Sequence, residues 1–561
     1  MTLFCRPSRS CFAPLSLLLI LVALLQGCGG QASDASTAER GEEAMARCPG
    51  ADLASSKTLV YVATSGKDSD SCGDKPATAC ASIAQGIARC AVAGCAVVVQ
   101  HGLYSTTASI NLRDAVSVHG SCRFGDEPER YYRTVIAASP AAGMSAIDGA
   151  GINSATELSG IVALGKNETA AGEASVAMRV RASKGLAVAG VTLVAGRGGD
   201  GAAGGGSNGG PGGAGRAPDS QTPIGAGGLA CPANPPPAGG RGGAGRATNQ
   251  FAFGNCGLDC VCNPGAPSQQ PAEVMGQDAG RARGGANGGS GSSGGNCVGR
   301  PDLTPGQGGP GQPGEIGDCS GAGGTAAAGL TGRFAGGRWL AASGGQGGMG
   351  GSGSGGGGGG AGGFSSYVPF AGTIESFFGY PGSGGGGGGC GAPGGTGGQQ
   401  GGASLALVLA DAAVTGLASG SNLVPGQGGN GGAGGSGGSG GPGGEGATYY
   451  QGPLAERQYF LVKILMPGWG NAGGAGGPGG AGSGGAGGNG GPAIGIALLG
   501  SSPDPGAMDI YAGIPGAPGR QGAGQANPAA PGNVNSQCRS ADGQEGHPGI
   551  AAPLVRYTEA S

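Results

Sequence analysis

In GGNGGAGGSGGSGGPGGEG, residues 428–446, glycine occupies Gly428, Gly431, Gly434, Gly437, Gly440, Gly443 and Gly446, every third position without a miss. The same frame runs from Gly344 to Gly362, from Gly473 to Gly491 and, for six members, from Gly382 to Gly397. A flexible linker has no reason to keep that count, and a fixed internal period constrains a fold before any residue chemistry is weighed. Three residues per turn is the period of the polyproline II helix, which rises about 3.1 Å per residue without internal hydrogen bonds, so seven triplets reach roughly 60 Å. Alone, such a run is a solvated coil. Side by side, glycine helices approach closely enough to exchange the backbone hydrogen bonds that burial demands. A collagen-like assembly is the third possibility, opposed by only 37 Pro in the chain and by the shortness of each run.

With 141 Gly and 37 Pro among 561 residues, apolar burial is confined to a minority of segments. A formal charge of −3 removes the basic footprint of a nucleic-acid binder. The first residues place Arg6 and Arg9 before an apolar run from Leu15 to Leu25, too short to span a bilayer comfortably and typical of an export signal. Leu25-Gln26-Gly27-Cys28 resembles the lipobox of bacterial lipoproteins. That resemblance implies cleavage before Cys28, acylation of Cys28 and attachment to the membrane through the lipid, each buried methylene contributing about 0.8 kcal/mol. Because Gly29 rather than Asp follows, it also implies the outer membrane. A plain secretory signal is the alternative.

Of 17 cysteines, removing Cys5 and Cys11 with the signal and Cys28 to lipid leaves fourteen, compatible with seven disulfides in an oxidising compartment. Cys256, Cys260 and Cys262 lack the paired CxxC and neighbouring His of a zinc site, so they too are expected in disulfides.

Residues 1–27 thus read as the signal, 28–56 as a polar tether, and 57–200 as the one ordinary stretch of strands. LVYVAT (59–64), AVVVQHGLY (96–104), AVSVHG (115–120), TVIAAS (134–139), GIVALG (160–165), VAMRVRA (176–182) and LAVAGVTLVAG (186–196) are β-rich runs, with a helix across KPATACASIAQGIARCA (75–91). Short, closely spaced strands point to a solenoid or sandwich. The order Tyr61-Val62 with Gly66 and Asp68, Pro76 with Ile83 and Ile87, Val97-Val98-Val99 with Gly102 and Tyr104, then Val116 to Gly120, resembles the entry to right-handed parallel β-helices of the pectin-lyase-like superfamily. Segments 175–201, 404–431 and 492–519 share one plan, strand, turn, strand, glycine, so the glycine runs read as excursions between coils. The expected fold is therefore all-β: a parallel β-helix interrupted by Gly-x-x repeats that pack as polyglycine II helices, with one capping helix. It divides into a glycine-rich insert at 201–402, coils alternating with triplets at 403–520 and a C-terminal tail at 521–561.

Chemistry-bearing residues are few. His101, His119 and His547 are the only histidines and stand in no Ser/His/Asp or Cys/His constellation. Asp68, Asp70 and Asp74 are a candidate Ca²⁺ loop without the glycine and distal Glu of an EF-hand; a solvated turn is the plainer reading. GRGGDG at 196–201 matches the calcium-roll nonapeptide only once. Arg179 and Arg181 share one strand face, opposite Val176, Met178 and Val180, and are candidates to grip an anionic glycan. Family lyases pair a basic residue with clustered calcium-binding carboxylates, which this sequence does not display. No cofactor is called for. The expected function is a non-enzymatic surface lipoprotein, structural or adhesive, with membrane and polysaccharide as partners; the alternative is a polysaccharide lyase or hydrolase.

Overall fold

A computed structural model describes residues 47–49, 53, 58–90, 92–124, 133–217, 310–318, 322–327, 332–350, 352–353, 358, 365–367, 375–377, 380–417, 420–449, 455–459, 462–466, 470–506, 509–526 and 539–558. The signal, Cys28, most of the tether and the cysteines at 256, 260 and 262 lie outside them.

Eighteen strands form three six-stranded sheets. Sheet one stacks Thr58–Val62, Cys95–Gln100, Val116–Cys122, Thr156–Ser159, Leu186–Ala189 and Val414–Thr415. Sheet two stacks Gly102–Thr106, Thr134–Ala138, Ile161–Leu164, Thr192–Val194, Asn422–Val424 and Asp509–Ile510. Sheet three stacks Ile110–Leu112, Ser145–Ala150, Ser175–Arg181, Ser404–Ala410, Ala493–Leu499 and Ala551–Tyr557. Neighbours pair in parallel throughout, and from Cys95 to Leu499 these strands visit sheets one, two and three in repeating order, after which Asp509–Ile510 and Ala551–Tyr557 add to sheets two and three only. The expected pairing of distant segments is present: Ser175–Arg181 pairs with Ser404–Ala410, which pairs with Ala493–Leu499. The stretch expected to be a tail contributes the edge strand Ala551–Tyr557.

Local backbone chemistry sets the corners. Four of the five longer sheet-three strands are followed by one residue in the left-handed region, Gly151 (φ 68°), Ala182 (φ 45°), Asp411 (φ 49°) and Gly500 (φ 60°). Gly160, Gly190 and Gly416 do the same between sheets one and two. Glycine takes that conformation without a Cβ penalty, which is why it recurs there. The run 186–196, expected as a single strand, is consequently split at Gly190 into strands of two sheets, while 96–104, expected as a strand followed by a turn, holds most of Cys95–Gln100 of sheet one and the start of Gly102–Thr106 of sheet two.

The core lies between the sheets, with Val97, Val118, Ile136, Ile147, Leu158, Ile161, Met178, Leu193, Leu407 and Ile496 almost wholly buried. Sheet three is covered on its outer face too, by Phe334 and Trp339 of the hairpin Arg333–Ala335 and Arg338–Leu340. This explains why SLALVLA and AIGIALL are continuous apolar runs instead of alternating ones. One expectation fails here. Val176 belongs to the outer cluster with Leu405, Ile494 and Phe334, not with Met178 and Val180. The ladder skips a column of small or imino residues, Ala146, Ala177, Ala406, Gly495 and Pro553, without shifting its register, and at that column the alternation reverses. At Gly495 an added Cβ would lie 2.6 Å from Pro553 O.

The helix is shorter than expected. Pro76–Thr78 is a 3₁₀ turn, and the α-helix covers Ile83–Arg89, started by the Ser82 side chain accepting from Gln85 N. Disulfides Cys72–Cys80, Cys90–Cys95 and Cys48–Cys122 tie this end together, and Cys390 is disulfide-bonded as well.

Candidate functional site

The glycine triplets grow out of two sheets. Strands Thr192–Val194, Asn422–Val424 and Asp509–Ile510 of sheet two each lead into an outgoing rod, at 198–216, 426–447 and 514–525. Rods at 383–402, 471–491 and 540–550 return into Ser404–Ala410, Ala493–Leu499 and Ala551–Tyr557 of sheet three. Outgoing rods bond to one another in parallel, as in Gly201 N to Asn430 O (2.8 Å) and Gly431 N to Ala517 O (2.9 Å). Outgoing and returning rods are antiparallel, as in Gly435 N to Thr396 O and Gly432 N to Gln399 O.

The triplet Gly484-Gly485-Ala486 shows what this packing achieves. Its three N–H groups donate to Ala541 O (2.9 Å), Gly435 O (2.9 Å) and Gly345 O (3.0 Å). Its three carbonyls accept from Gly324 N (2.9 Å), Gly522 N (2.8 Å) and Gly398 N (2.8 Å). Six polar groups thus meet six different segments, and every donor and acceptor of a buried, side-chain-poor stretch is satisfied. The every-third glycine is sterically enforced: at Gly437 an added Cβ would lie 2.8 Å from Ser483 O, and at Gly434 2.8 Å from Ala486 O.

Polar side chains at non-glycine positions finish the edges. Asp200 Oδ1 accepts from Asn430 N (2.7 Å), Asn430 Oδ1 accepts from Ala517 N (3.0 Å), and Asn489 Oδ1 accepts from His547 N (2.8 Å). Gln399 and Thr396 cap Ala202 N and Gly205 N in the same way. The first outgoing rod turns Ala202, Ala203, Ser207, Asn208 and Pro211 to solvent, a face of small side chains without charge.

Arg179 and Arg181 do share a face, but Asp148 claims both. Arg179, only 4% exposed, donates to Asp148 Oδ2 through Nη2 and through Nε (3.1 Å), while Arg181 Nη2 lies 3.4 Å from Oδ1. Arg181 alone of the two keeps an accessible side chain, at 42%. Asp68, Asp70 and Asp74 are exposed and are not gathered together: Asp68 accepts from Ala81 N and Ser82 N, and Asp74 faces Arg89 at 3.5 Å. Cys72 and Cys80, which lie near Asp68, are already bonded to each other.

Sequence spacing does not reveal two polar groupings formed across neighbouring strands. His119 Nδ1 meets Ser159 Oγ at 2.8 Å and Glu157 Oε1 at 3.9 Å. Both partners address the same ring nitrogen, so no relay from acid through imidazole to hydroxyl exists. Burial pushes the His119 pKa below its ordinary value, with Glu157 opposing. The second grouping surrounds Gly143, whose N–H donates to Glu168 Oε1 (3.2 Å). Lys166 lies 3.3 Å from Glu168, and Arg338 lies 3.6 Å from Glu173. Each carboxylate has its own cation, and the Glu168 side chain is 1% exposed, closed to a substrate.

Comparison with family models, curated proteins and solved structures returns no match. What the described residues present is an ordered lattice of glycine rods rooted in parallel β-sheets.

Proposed function

We propose that this chain is a non-enzymatic structural or adhesive lipoprotein of the cell envelope, held through acylated Cys28 and displaying its glycine lattice outward. In this reading the three parallel sheets are the walls of a right-handed parallel β-helix, and the rods are polyglycine II helices that extend its turns. The observation that carries it is the triplet Gly484-Gly485-Ala486, whose six backbone groups are all paired between segments. Spending so much chain on a lattice makes a broad, stiff face, and such a face offers contact area without reactive groups. Among the described residues no helix is long and apolar enough to cross a membrane.

Adhesion of the purified protein to cells and polysaccharides tests the reading, alongside an assay for unsaturated uronate products. Replacing Gly434 and Gly437 together by Val should abolish most adhesion, because a β-carbon at either position drives the rods apart. Replacing Arg181 by Ala should weaken anionic-glycan binding only modestly. Robust release of uronate products would replace the proposal by the lyase alternative. Cys28→Ala should move the protein from the membrane to the soluble fraction; unchanged fractionation would remove the lipid anchor.

A further inference from the structure

Four steps in the sequence are Asn-Gly, at 208–209, 287–288, 430–431 and 489–490. Asn287 lies outside the described residues; the other three sit in rods and share one geometry. Asn208 Oδ1 accepts from Ser439 N (3.0 Å), and Gly209 N donates to Ser439 O (2.9 Å). Asn430 Oδ1 accepts from Ala517 N (3.0 Å), and Gly431 N donates to Ala517 O (2.9 Å). Asn489 Oδ1 accepts from His547 N (2.8 Å), and Gly490 N donates to His547 O (2.8 Å). Each asparagine side chain and the amide after it thus clamp both backbone groups of a single residue on the neighbouring rod. Asp200-Gly201 clamps Asn430 in the same way, with a carboxylate oxygen as the acceptor (2.7 Å) and Gly201 N as the donor (2.8 Å).

The clamp ties up the very groups through which an Asn-Gly step reacts with itself. Glycine has no side chain to hinder approach, so its nitrogen, once it gives up its proton, attacks the asparagine Cγ. The bond from Cγ to the carboxamide nitrogen breaks, ammonia leaves, and a five-membered succinimide remains. Water then opens either of its carbonyls, giving aspartate or isoaspartate. In the clamp the glycine proton is held by a carbonyl and the carboxamide is turned to a different residue. Polarisation of Cγ by the N–H on Oδ1 does not help while the nucleophile keeps its proton. We propose that Asn208, Asn430 and Asn489 are modification sites of the amide-to-acid class, held unreactive by their clamps and released when a rod parts from its neighbour. Burial sets the order of release. Asn208 is exposed, Asn430 is partly buried, and Asn489 is wholly buried with its Nδ2 donating to Ala327 O (3.2 Å). The two products then differ in consequence. Aspartate restores the clamp, as Asp200 demonstrates, whereas isoaspartate carries the main chain through one extra carbon, which a three-residue period cannot absorb.

The detergent-solubilised full chain is incubated in mildly alkaline buffer, folded or unfolded in guanidinium chloride, and each site is followed by peptide mapping with mass spectrometry. Local sequence hardly differs among Ser-Asn-Gly-Gly at 207 and Gly-Asn-Gly-Gly at 429 and 488, so the three should react alike when unfolded. Folded, Asn208 should react first and Asn489 last, with Asn489 at least about tenfold slower than in denaturant. Ala517→Pro isolates one clamp: position 517 is exposed, proline suits the extended rod, and only the N–H that holds the Asn430 side chain is removed. It should speed Asn430 about fivefold, one hydrogen bond's worth, and leave Asn208 and Asn489 unchanged, which also verifies that the lattice still forms. Asn430→Asp should keep wild-type hydrogen exchange at Gly431, while peptides carrying isoaspartate at 430, resolved by chromatography from the same aged sample, should exchange faster. Equal rates in folded and unfolded chains, Asn489 reacting as fast as Asn208, Asn430 unmoved by Ala517→Pro, or the same exchange with aspartate and isoaspartate would each overturn the proposal.

Discussion

Adding one methyl group should have opposite effects at Gly485 and Gly205. At Gly485, in the middle of the most enclosed rod, a Cβ would stand 2.6 Å from Gly395 O, against an ordinary contact of 3.4 Å or more. The obstacle is backbone, with Thr396 O closer still, so relief requires rods 383–402 and 471–491 to part by more than the about 0.8 Å that Gly395 O alone would demand. Such a shift stretches the bonds from Gly395 N to Ser483 O and from Gly398 N to Ala486 O, now 2.9 and 2.8 Å, beyond good geometry. Overpacking of this kind costs about 1–3 kcal/mol, and each buried group left unpaired adds about 1–3 kcal/mol. With two bonds compromised, Gly485→Ala should destabilise by about 3–9 kcal/mol. Gly205 has nothing within 4 Å of its notional Cβ and no positive φ, so Gly205→Ala should stabilise by about 0.4–1 kcal/mol through the unfolded chain. Denaturant unfolding, with hydrogen exchange at Gly395, Gly398 and Gly435, separates the two. A Gly485→Ala protein within 0.5 kcal/mol of wild type would refute the steric account of the lattice.

Asp114 is held below its ordinary value of 3.8 chiefly by the Ser154 backbone N–H, and Asp411 chiefly by Ser501. Their stabilisation is present above pH 3.8 and is lost as pH falls through the lower folded values; acid titration of Asp411→Asn should show a shallower loss than wild type. His119, with its folded pKa lowered by burial, stays neutral where an unfolded imidazole takes a proton, so its contribution is complete above 6.5 and fades below it. His119→Gln should flatten the stability profile below pH 6.5, measured by urea midpoints; an unchanged slope would assign that dependence elsewhere. Arg179→Met leaves the buried Asp148 with only Arg181, 3.4 Å away and half exposed, and should cost about 3–5 kcal/mol, whereas adding Asp148→Leu should recover most of it; equal cost in single and double variants would contradict the ion-pair reading.

Much of the scaffold was legible because apolar runs and glycine punctuation act locally. LVYVAT, AVSVHG and TVIAAS each become a strand, and the three strand-turn-strand segments pair with one another as their shared plan implies. Ile110–Leu112, Ser145–Ala150 and Thr156–Ser159 escaped notice because they are short and carry Asn, Asp, Thr or Ser between their apolar residues. The facing of Val176 was hidden for a different reason: a column of unpaired residues that crosses five strands in one register cannot be seen in any one of them. Asp148, which decides what Arg179 and Arg181 can do, lies 31 residues from Arg179 and joins it only through the parallel register. Pair geometry across coils, unlike strand propensity, is a property of the stack.

A lattice of identical triplets has a weakness that its own sequence must correct. Sliding one rod by three residues along its neighbour restores the glycine pattern, so steric fit alone cannot choose among registers, much as flat polar strands slip. Two features choose. Each of the six main rods is rooted in a strand whose apolar residues face a fixed partner, so a slip in the rod must either propagate into the core or be absorbed at the junction. The amide and carboxylate caps then differ from triplet to triplet: Asp200 serves Asn430, Asn430 serves Ala517, and Asn489 serves His547. The clearest case is the break in period on rod 198–216. Gly204 pairs with Ala433 and Gly209 with Ser439, so five residues there span six on the neighbour, and Asn208 Oδ1 accepts from Ser439 N (3.0 Å) at the place where the count resumes. Glycine thus sets the spacing of the rods, while the scattered Asp, Asn and Gln residues set which triplet meets which.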